Sequence, residues 1–418
     1  MTSRSFTATR VLRDAPSQEQ LESARSLTPM VSGGNTPRVW VLSSPRAGER
    51  SQLLALAEGL GLPFEIKRIV HHRLGGPLSL ISGEHLAGVD RRRSDALDGP
   101  WPDLVLLAHQ SNENVARWIR QQSGGKTRLV LIGRPWAEVE AFDLVITTPQ
   151  YDLPEAANVL HNPLPLHLVA PARLKAAAAK WESRLAHLPR PFITVLVGGS
   201  SGPYVFDAAA AARLGREASA LARRLGGSLL VTTSARTPAD AVDALFAAVD
   251  APAWLHRWSA GDSQNPYFGF MGLADRIVVT ADSISMIAEA CATGKPVEMF
   301  DFGAGALPMR AAHDGRKVDA SLGSRIQGWL YAAYSRLPLG RFNRSRDLRI
   351  VHRALLATGR VSWLGDSAPA ISMRFVGDEM TRSLNRLRGL LQLQPAPQRV
   401  VQPDGIASEL SDLATASA

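Results

Sequence analysis

The chain has 418 residues, 45% hydrophobic and 20% charged, with a formal net charge of +9 and a single cysteine, Cys291. That length allows two or three domains. One cysteine excludes an intrachain disulfide or a cysteine metal cluster, and no apolar run reaches the roughly 18 residues that a membrane span needs. A reducing, cytoplasmic setting fits. Of the 47 basic residues only 6 are Lys, a bias associated with GC-rich bacterial genomes. A basic surplus suits nucleic acid, anionic lipid or phosphorylated ligands. With no zinc finger, helix-turn-helix or RNP-type aromatic strand, nucleic acid is not an expected partner. A peripheral contact with anionic membrane fits better, and arginines scattered over a solvated surface are the plainest account.

Residues 1–36 read as a disordered tail, Ser/Thr/Arg-rich with few acids and lacking the apolar core of a secretory signal. Order is expected from Arg38. Val39–Leu42 is a strand, Ser43–Gly48 a turn, Gln52–Leu60 an amphipathic helix closed by Gly61, and Phe64–Ile69 the next strand. The loop Ser43–Arg50 therefore falls at the carboxyl end of a strand, where open α/β sheets bind ligands. Residues 71–100 are irregular. His71-His72 lack partners at metal spacing, so no metal site is expected. Asp103–Ala108, Arg128–Ile132, Phe142–Thr147 and Asn158–Leu160 read as strands, with a short helix over Asn114–Gln122. These make a Rossmann-like half over 37–165.

Residues 166–191 form a linker, an Ala-rich basic helix over Ala170–Leu188 broken by Pro189-Arg190-Pro191. A second Rossmann-like half spans 192–335. Phe192–Val197 is its first strand and Gly198-Gly199-Ser200-Ser201-Gly202 the exit loop. Asp207–Leu225 is a helix, Ser228–Thr233 a strand with exit loop Ser234–Thr237, Pro238–Ala248 a helix and Ala253–Trp258 strand-like. Ile277–Thr280 and Val297–Phe300 are strands. Between them a helix starts at Asp282-Ser283 and ends at Gly294-Lys295-Pro296. Residues 321–360 read as helical and basic, with Trp329, Tyr331 and Tyr334 as apolar contacts, a segment able to cross back onto the first half. Terminal helices are expected over 336–392, one of them Asp378–Leu391, and a mobile tail over 393–418.

Chemistry concentrates in the second half. Thr280, Asp282, Ser283, Ser285 and Glu289 place hydroxyls and acids at a helix N-terminus, whose free N–H groups and partial positive charge suit a phosphate. A single cap explains one of these residues, not all. Glu289, one turn in, suits sugar hydroxyls. Glycines at 198, 199 and 202 let backbone approach a phosphate or sugar ring, though a plain tight turn reads the same way and GxGxxG is absent. Asn265-Pro266-Tyr267 lies on the same rim, and Tyr267 is either a stacking platform or core. Ser234–Thr237 is an ordinary polar loop or a nucleotide contact. In the first half, Arg46, Gly48, His109, Arg134 and Asp152 fall on strand exits. His109 and Asp152 are the candidate general bases. No nucleophile elbow surrounds any serine.

Arg46-x-Gly48 with residues 54–61, FDLVITTPQYD at 142–152, VLVGGSS at 195–201, and NPYFGFMGLAD running into VVTADSISMIAEACATGKPVEMF resemble the "elongated mitochondria" family, over about residues 39–335. Its members are regarded as candidate glycosyltransferases. The family is in turn similar to the two-Rossmann GT-B architecture, in which two α/β domains face each other across a cleft. The resemblance implies that Glu289 takes the ribose hydroxyls of a nucleotide-sugar. It places Asp282, Ser283, Ser285 and Met286 by the phosphates and Gly198–Ser201 by the donor sugar or diphosphate. It implies a metal-independent transferase with no cofactor beyond the nucleotide-sugar as substrate. The acceptor would be a glycan or lipid hydroxyl, at the inner face of the membrane. Ala108-His109 and Tyr151-Asp152 depart from the family pattern on the acceptor side. Two other readings share the fold: a non-catalytic adaptor for a membrane or protein, and a nucleotide-sugar epimerase.

Overall fold

A computed structural model describes residues 36–72, 83–108, 110–202, 204–302, 309–310, 326, 346–366 and 378–393. Among these, two six-stranded sheets form, both wholly parallel. The first holds β1 (Val39–Leu42), β2 (Phe64–Lys67), β3 (Leu104–Leu107), β4 (Arg128–Ile132), β5 (Leu144–Thr147) and β6 (Val159–His161), in the order β2-β1-β3-β4-β5-β6. The second holds β7 (Phe192–Leu196), β8 (Ser228–Thr232), β9 (Ala253–His256), β10 (Arg276–Thr280), β11 (Val297–Phe300) and β12 (Ser362–Trp363), in the order β12-β11-β10-β7-β8-β9. Central strands such as Leu104–Leu107 are buried along their whole length. That is why they read as unbroken apolar runs: a parallel strand is covered on both faces.

The helices are α1 (Ala47–Leu60), α2 (Glu113–Gln122), α3 (Pro171–Ala179), α4 (Glu182–Leu185), α5 (Ala208–Leu225), α6 (Ala239–Ala247), α7 (Tyr267–Leu273), α8 (Ile284–Cys291), α9 (Leu348–Ala357) and α10 (Glu379–Leu390). Helix α5 shows why sequence boundaries work. Asp207 accepts from the Ala210 N–H at 2.9 Å, and Gly226 closes the helix at φ 68. Between these caps Leu214, Ala218, Leu221 and Ala222 bury one face at helical spacing.

Topology fixes where a site can form. From β1 the chain steps outward to β2, then returns past β1 to β3. From β7 it steps out through β8 and β9, then returns to β10. Each sheet therefore has one switch point, β1/β3 and β7/β10, where the exit loops diverge and leave a crevice.

Three features differ from the sequence expectation. The helix expected over Ala170–Leu188 is two helices, α3 and α4. Between them Trp181 is buried and meets Phe270 and Trp254 edge-on, with ring centroids 5.4 and 5.8 Å away. Burying that ring outweighs the helical preference of the alanines. The first half is met both by the start of α9, where the Asp347 N–H donates to the Gln150 carbonyl at 3.1 Å, and by α10, which the sequence did not place there. Leu384 and Leu387 join the core of Leu53, Leu56 and Leu60, and buried Asn162 donates to Ser383 at 2.9 Å. Helix α9 also packs Leu348, Val351 and Leu355 on the second core. Third, β12 pairs with β11, so the second sheet takes its edge from beyond residue 335. Trp329, Tyr331 and Tyr334 lie outside the described residues, as do nearly all of the expected tails.

Candidate functional site

The site is built at the β7/β10 switch point. Strands β7 and β10 run parallel, with Leu196 opposite Val279, so their exit loops leave side by side. Thr280 accepts from the Gly198 N–H at 2.8 Å, and Asp282 accepts from the Gly199 N–H at 3.1 Å. The Asp282 side chain is fully buried and pairs with Arg236 at 2.7 Å. A Cβ on Gly198 would lie 2.5 Å from the Asp282 carboxylate, and one on Gly199 would overlap the Arg236 carbonyl. Glycine is required here by close approach rather than by backbone angle. The β8 exit loop is locked to the same glycines: Ser234 and Thr237 hydroxyls donate to the Gly198 carbonyl at 2.7 and 2.5 Å.

Helix α8 starts beside this loop. Ser283 precedes it without a side-chain cap, so its first N–H groups have no partner within the helix. The turn is held from behind by His352, which is buried and donates from Nε2 to the Ala281 carbonyl at 2.7 Å. Burial pushes its imidazole down to about 4, so it is neutral at ordinary pH. The tautomer follows from its partner.

One turn into α8 lies Glu289, 7% exposed. The Tyr267 hydroxyl donates to its Oε2. Burial raises the Glu289 carboxyl to about 7, against the lowering effects of the Tyr267 hydrogen bond and of Arg173. Burial and the neighbouring carboxylate together raise the Tyr267 phenol well above its usual value. Of the two readings of Tyr267, the ring takes the core one, packing against the second core, and its hydroxyl is aimed at the acid. Arg173, on α3, also faces Phe268 at 5.5 Å and Glu58 of α1 at 3.8 Å.

Other expected donor residues have partners of their own. Asn265 is exposed, and its side chain accepts from the Tyr267 N–H at 3.0 Å, shaping the start of α7. Met286 is half-buried and packs its side chain against the second core. Ser200 accepts from the Phe206 N–H at 3.0 Å, and Ser201 accepts from Arg346 at 2.5 Å. Lys295 donates to the Met271 and Gly272 carbonyls at 2.7 Å each, closing the end of α7 as cations do.

The first half meets this rim directly. A Cβ on Gly48 would lie 3.0 Å from the Ser285 hydroxyl, so the N-terminal turn of α1 faces that of α8. Arg46 is exposed and pairs with Glu49 at 3.0 Å. The Ser44 hydroxyl donates to Glu49. Burial raises the Glu49 carboxyl, opposed first by Arg46. Arg134 lies over the Tyr151 ring at 5.8 Å. Asp152 is exposed and left-handed at φ 49, closing the turn Pro149–Tyr151. His109 lies outside the described residues. Among the described residues no group of three or more His, Cys, Asp or Glu is placed to hold a metal ion. No described helix is long and apolar enough to cross a membrane.

Sequence reading named Arg236 and Glu49 only as members of the loops Ser234–Thr237 and Ser43–Arg50, and it missed Arg346, Arg173 and His352. Each comes to the site from an element remote in sequence. Arg236 and Glu49 carried a signal, since both lie on strand exits.

Two parallel sheets with paired switch points, one exit loop resting on the other, define the two-Rossmann, GT-B-like class. The profile of the family described as Mitochondrial fission ELM1 matches residues 47–315, and the chain belongs to that family. Mitochondrial fission protein ELM1 of Arabidopsis thaliana is 30% identical over 231 residues, 49% of this chain and 52% of that protein. The chain thus matches about half the length of the plant protein. An uncharacterized protein of Rickettsia prowazekii, RP120, is 22% identical over 295 residues, 63% of this chain and 82% of that one. Among solved structures, the S. aureus MnaA–UDP co-structure is similar at a TM-score of 0.42 and 10% identity, covering 86% of this chain and 98% of that chain.

Proposed function

We propose that the protein is a glycosyltransferase that binds a nucleotide-sugar at the β7/β10 edge and moves the sugar to an acceptor hydroxyl held by the first half. The observation that carries this is the buried Glu289–Tyr267 pair one turn inside the uncapped N-terminus of α8. A buried, raised carboxyl contributes nothing to folding that a neutral residue would not, and such groups concentrate where ligands bind. Its free oxygen suits the vicinal hydroxyls of a ribose. The N–H groups of α8 suit the adjoining diphosphate and stabilise it as it leaves. The acceptor oxygen loses its proton to a base of the first half, with Asp152 and His109 the candidates. A glycan or lipid hydroxyl at the inner face of a membrane is the acceptor class we favour.

The test is a thermal-shift panel of UDP-, GDP-, ADP- and CMP-sugars. One class is expected to raise the melting temperature. Glu289→Ala is expected to weaken binding of that nucleotide by roughly 1–3 kcal/mol, the worth of a charged hydrogen-bond acceptor. Unchanged affinity would remove Glu289 from the site.

One observation favours a second reading, a non-catalytic adaptor on the same fold. The Gly198 and Gly199 N–H groups are already bonded to Thr280 and Asp282, so that loop offers a phosphate fewer donors than its glycines suggest. The fission named for the family and for the plant relative is a role an adaptor would serve. A panel with no stabilising nucleotide supports this reading.

A further inference from the structure

Two arginines that the donor reading does not use converge on one loop. Arg236 leaves the β8 exit loop. Its guanidinium is fixed at both ends, by the buried Asp282 carboxylate at 2.7 Å and by the Ser200 carbonyl at 3.3 Å. Its side chain is 44% exposed, so the remaining N–H groups face outward over the loop. Arg346 comes from just ahead of α9 and donates to the hydroxyl of the next residue, Ser201, at 2.5 Å. Among the described residues no carboxylate lies within ion-pair distance of Arg346. Its neighbour Asp347 is taken by Arg349 at 3.0 Å. Its charge also reaches Glu49, on the first half, where it opposes the effect of burial.

The surroundings are organised to hold Arg236 in place. Gly198 has no room for a side chain because the Asp282 carboxylate fills it, and Gly199 none because the Arg236 backbone passes over it. Ser234 and Thr237 pin the same loop from both sides of Arg236. A carboxylate buried this deeply is costly, and a half-exposed partner does not repay it as a stabilising device. What the arrangement does produce is a guanidinium with a fixed plane, and a planar fork of N–H donors matches phosphate oxygens.

We infer that Arg236 and Arg346 form a two-point clamp for a diphosphate, one guanidinium fixed on Ser200 and the other on Ser201. This rests on the donor reading above and adds the groups that take the diphosphate charge. Asp282 is then a positioning residue, acting through Arg236 and not on the ligand. The arrangement also accounts for a loop whose own N–H groups are spent internally: the charge is met by side chains placed around it. Because the Asp347 N–H donates to the Gln150 carbonyl of the first half at 3.1 Å, Arg346 is anchored to both halves. Diphosphate held by it bridges the two.

The clamp is tested by titration calorimetry on the full chain. The probes are the nucleoside diphosphates of the four bases, the matching nucleosides, and inorganic pyrophosphate. Arg346→Gln breaks no ion pair and is the primary variant. It is expected to weaken the bound nucleoside diphosphate at least tenfold and to leave the matching nucleoside unchanged. Arg236→Gln strands a buried acid, so it is made together with Asp282→Asn, with circular dichroism as the check on folding. The folded double variant is expected to show a similar loss, and the triple variant a loss near a hundredfold. Nucleoside diphosphate binding at native strength in Arg346→Gln and in the folded double variant overturns the clamp and leaves the donor reading standing. Pyrophosphate binding as tightly as the nucleotide, and lost in the same variants, supports the clamp and overturns the nucleotide reading. No binding of any probe overturns both.

Discussion

Replacing Glu289 by Gln is expected to stabilise the protein at alkaline pH by roughly 3 kcal/mol, the worth of moving a carboxyl from its ordinary 4.5 to about 7. The folded state holds this proton more tightly than the unfolded chain does. The stability it contributes is fully present below pH 4.5 and is lost as pH rises through about 7. The native protein should therefore lose stability over that window relative to the variant, whose amide does not titrate. Gln keeps an acceptor for the Tyr267 hydroxyl, so packing is preserved. Denaturant unfolding of both proteins from pH 4 to 9 reads the difference. Parallel curves would mean that Glu289 is not buried as described. The same substitution is expected to weaken nucleotide binding. A residue whose replacement improves folding and harms binding marks a site kept for function.

The second large effect concerns Arg236. Changing it alone to Ala is expected to cost about 3 kcal/mol, because the fully buried Asp282 carboxylate is then left without its cation. Adding Asp282→Asn should return most of that loss, since Asn still accepts from the Gly199 N–H and carries no charge. Chemical denaturation of the single and double variants forms the comparison. A double variant as unstable as the single one would show that the loop depends on the Arg236 packing and not on its charge. This coupling is a property of the folded chain and holds under either functional reading.

Much of the frame was legible in the chain. Apolar runs such as Ile277–Thr280 mark buried parallel strands, and Asp207 and Gly226 mark the ends of a helix by known cap chemistry. The α8 helix and its polar N-terminus followed from the same rules. What was not legible depends on contacts between distant positions. Tyr267 and Glu289 lie on different helices, and nothing local says that a phenol meets the acid. Arg236 and Asp282 are joined only because β7 lies between β8 and β10 in the sheet. Trp181 broke an apparently strong helix because its ring had a pocket of aromatics to enter. Strand β12 is two residues long, too short for any period to show. The acceptor side stayed faint because its residues, exposed Arg46 and Asp152 and half-buried Arg134, are polar groups on loops, which ordinary surfaces also carry.

The central claim is that the second half, at the edge where β7 and β10 end, holds the nucleotide. Hydrogen–deuterium exchange with and without the stabilising nucleotide tests it most directly. Added nucleotide is expected to slow exchange most in residues 197–202 and 282–291. Slowed exchange confined to residues 110–160 of the first half, with those segments unchanged, would contradict it.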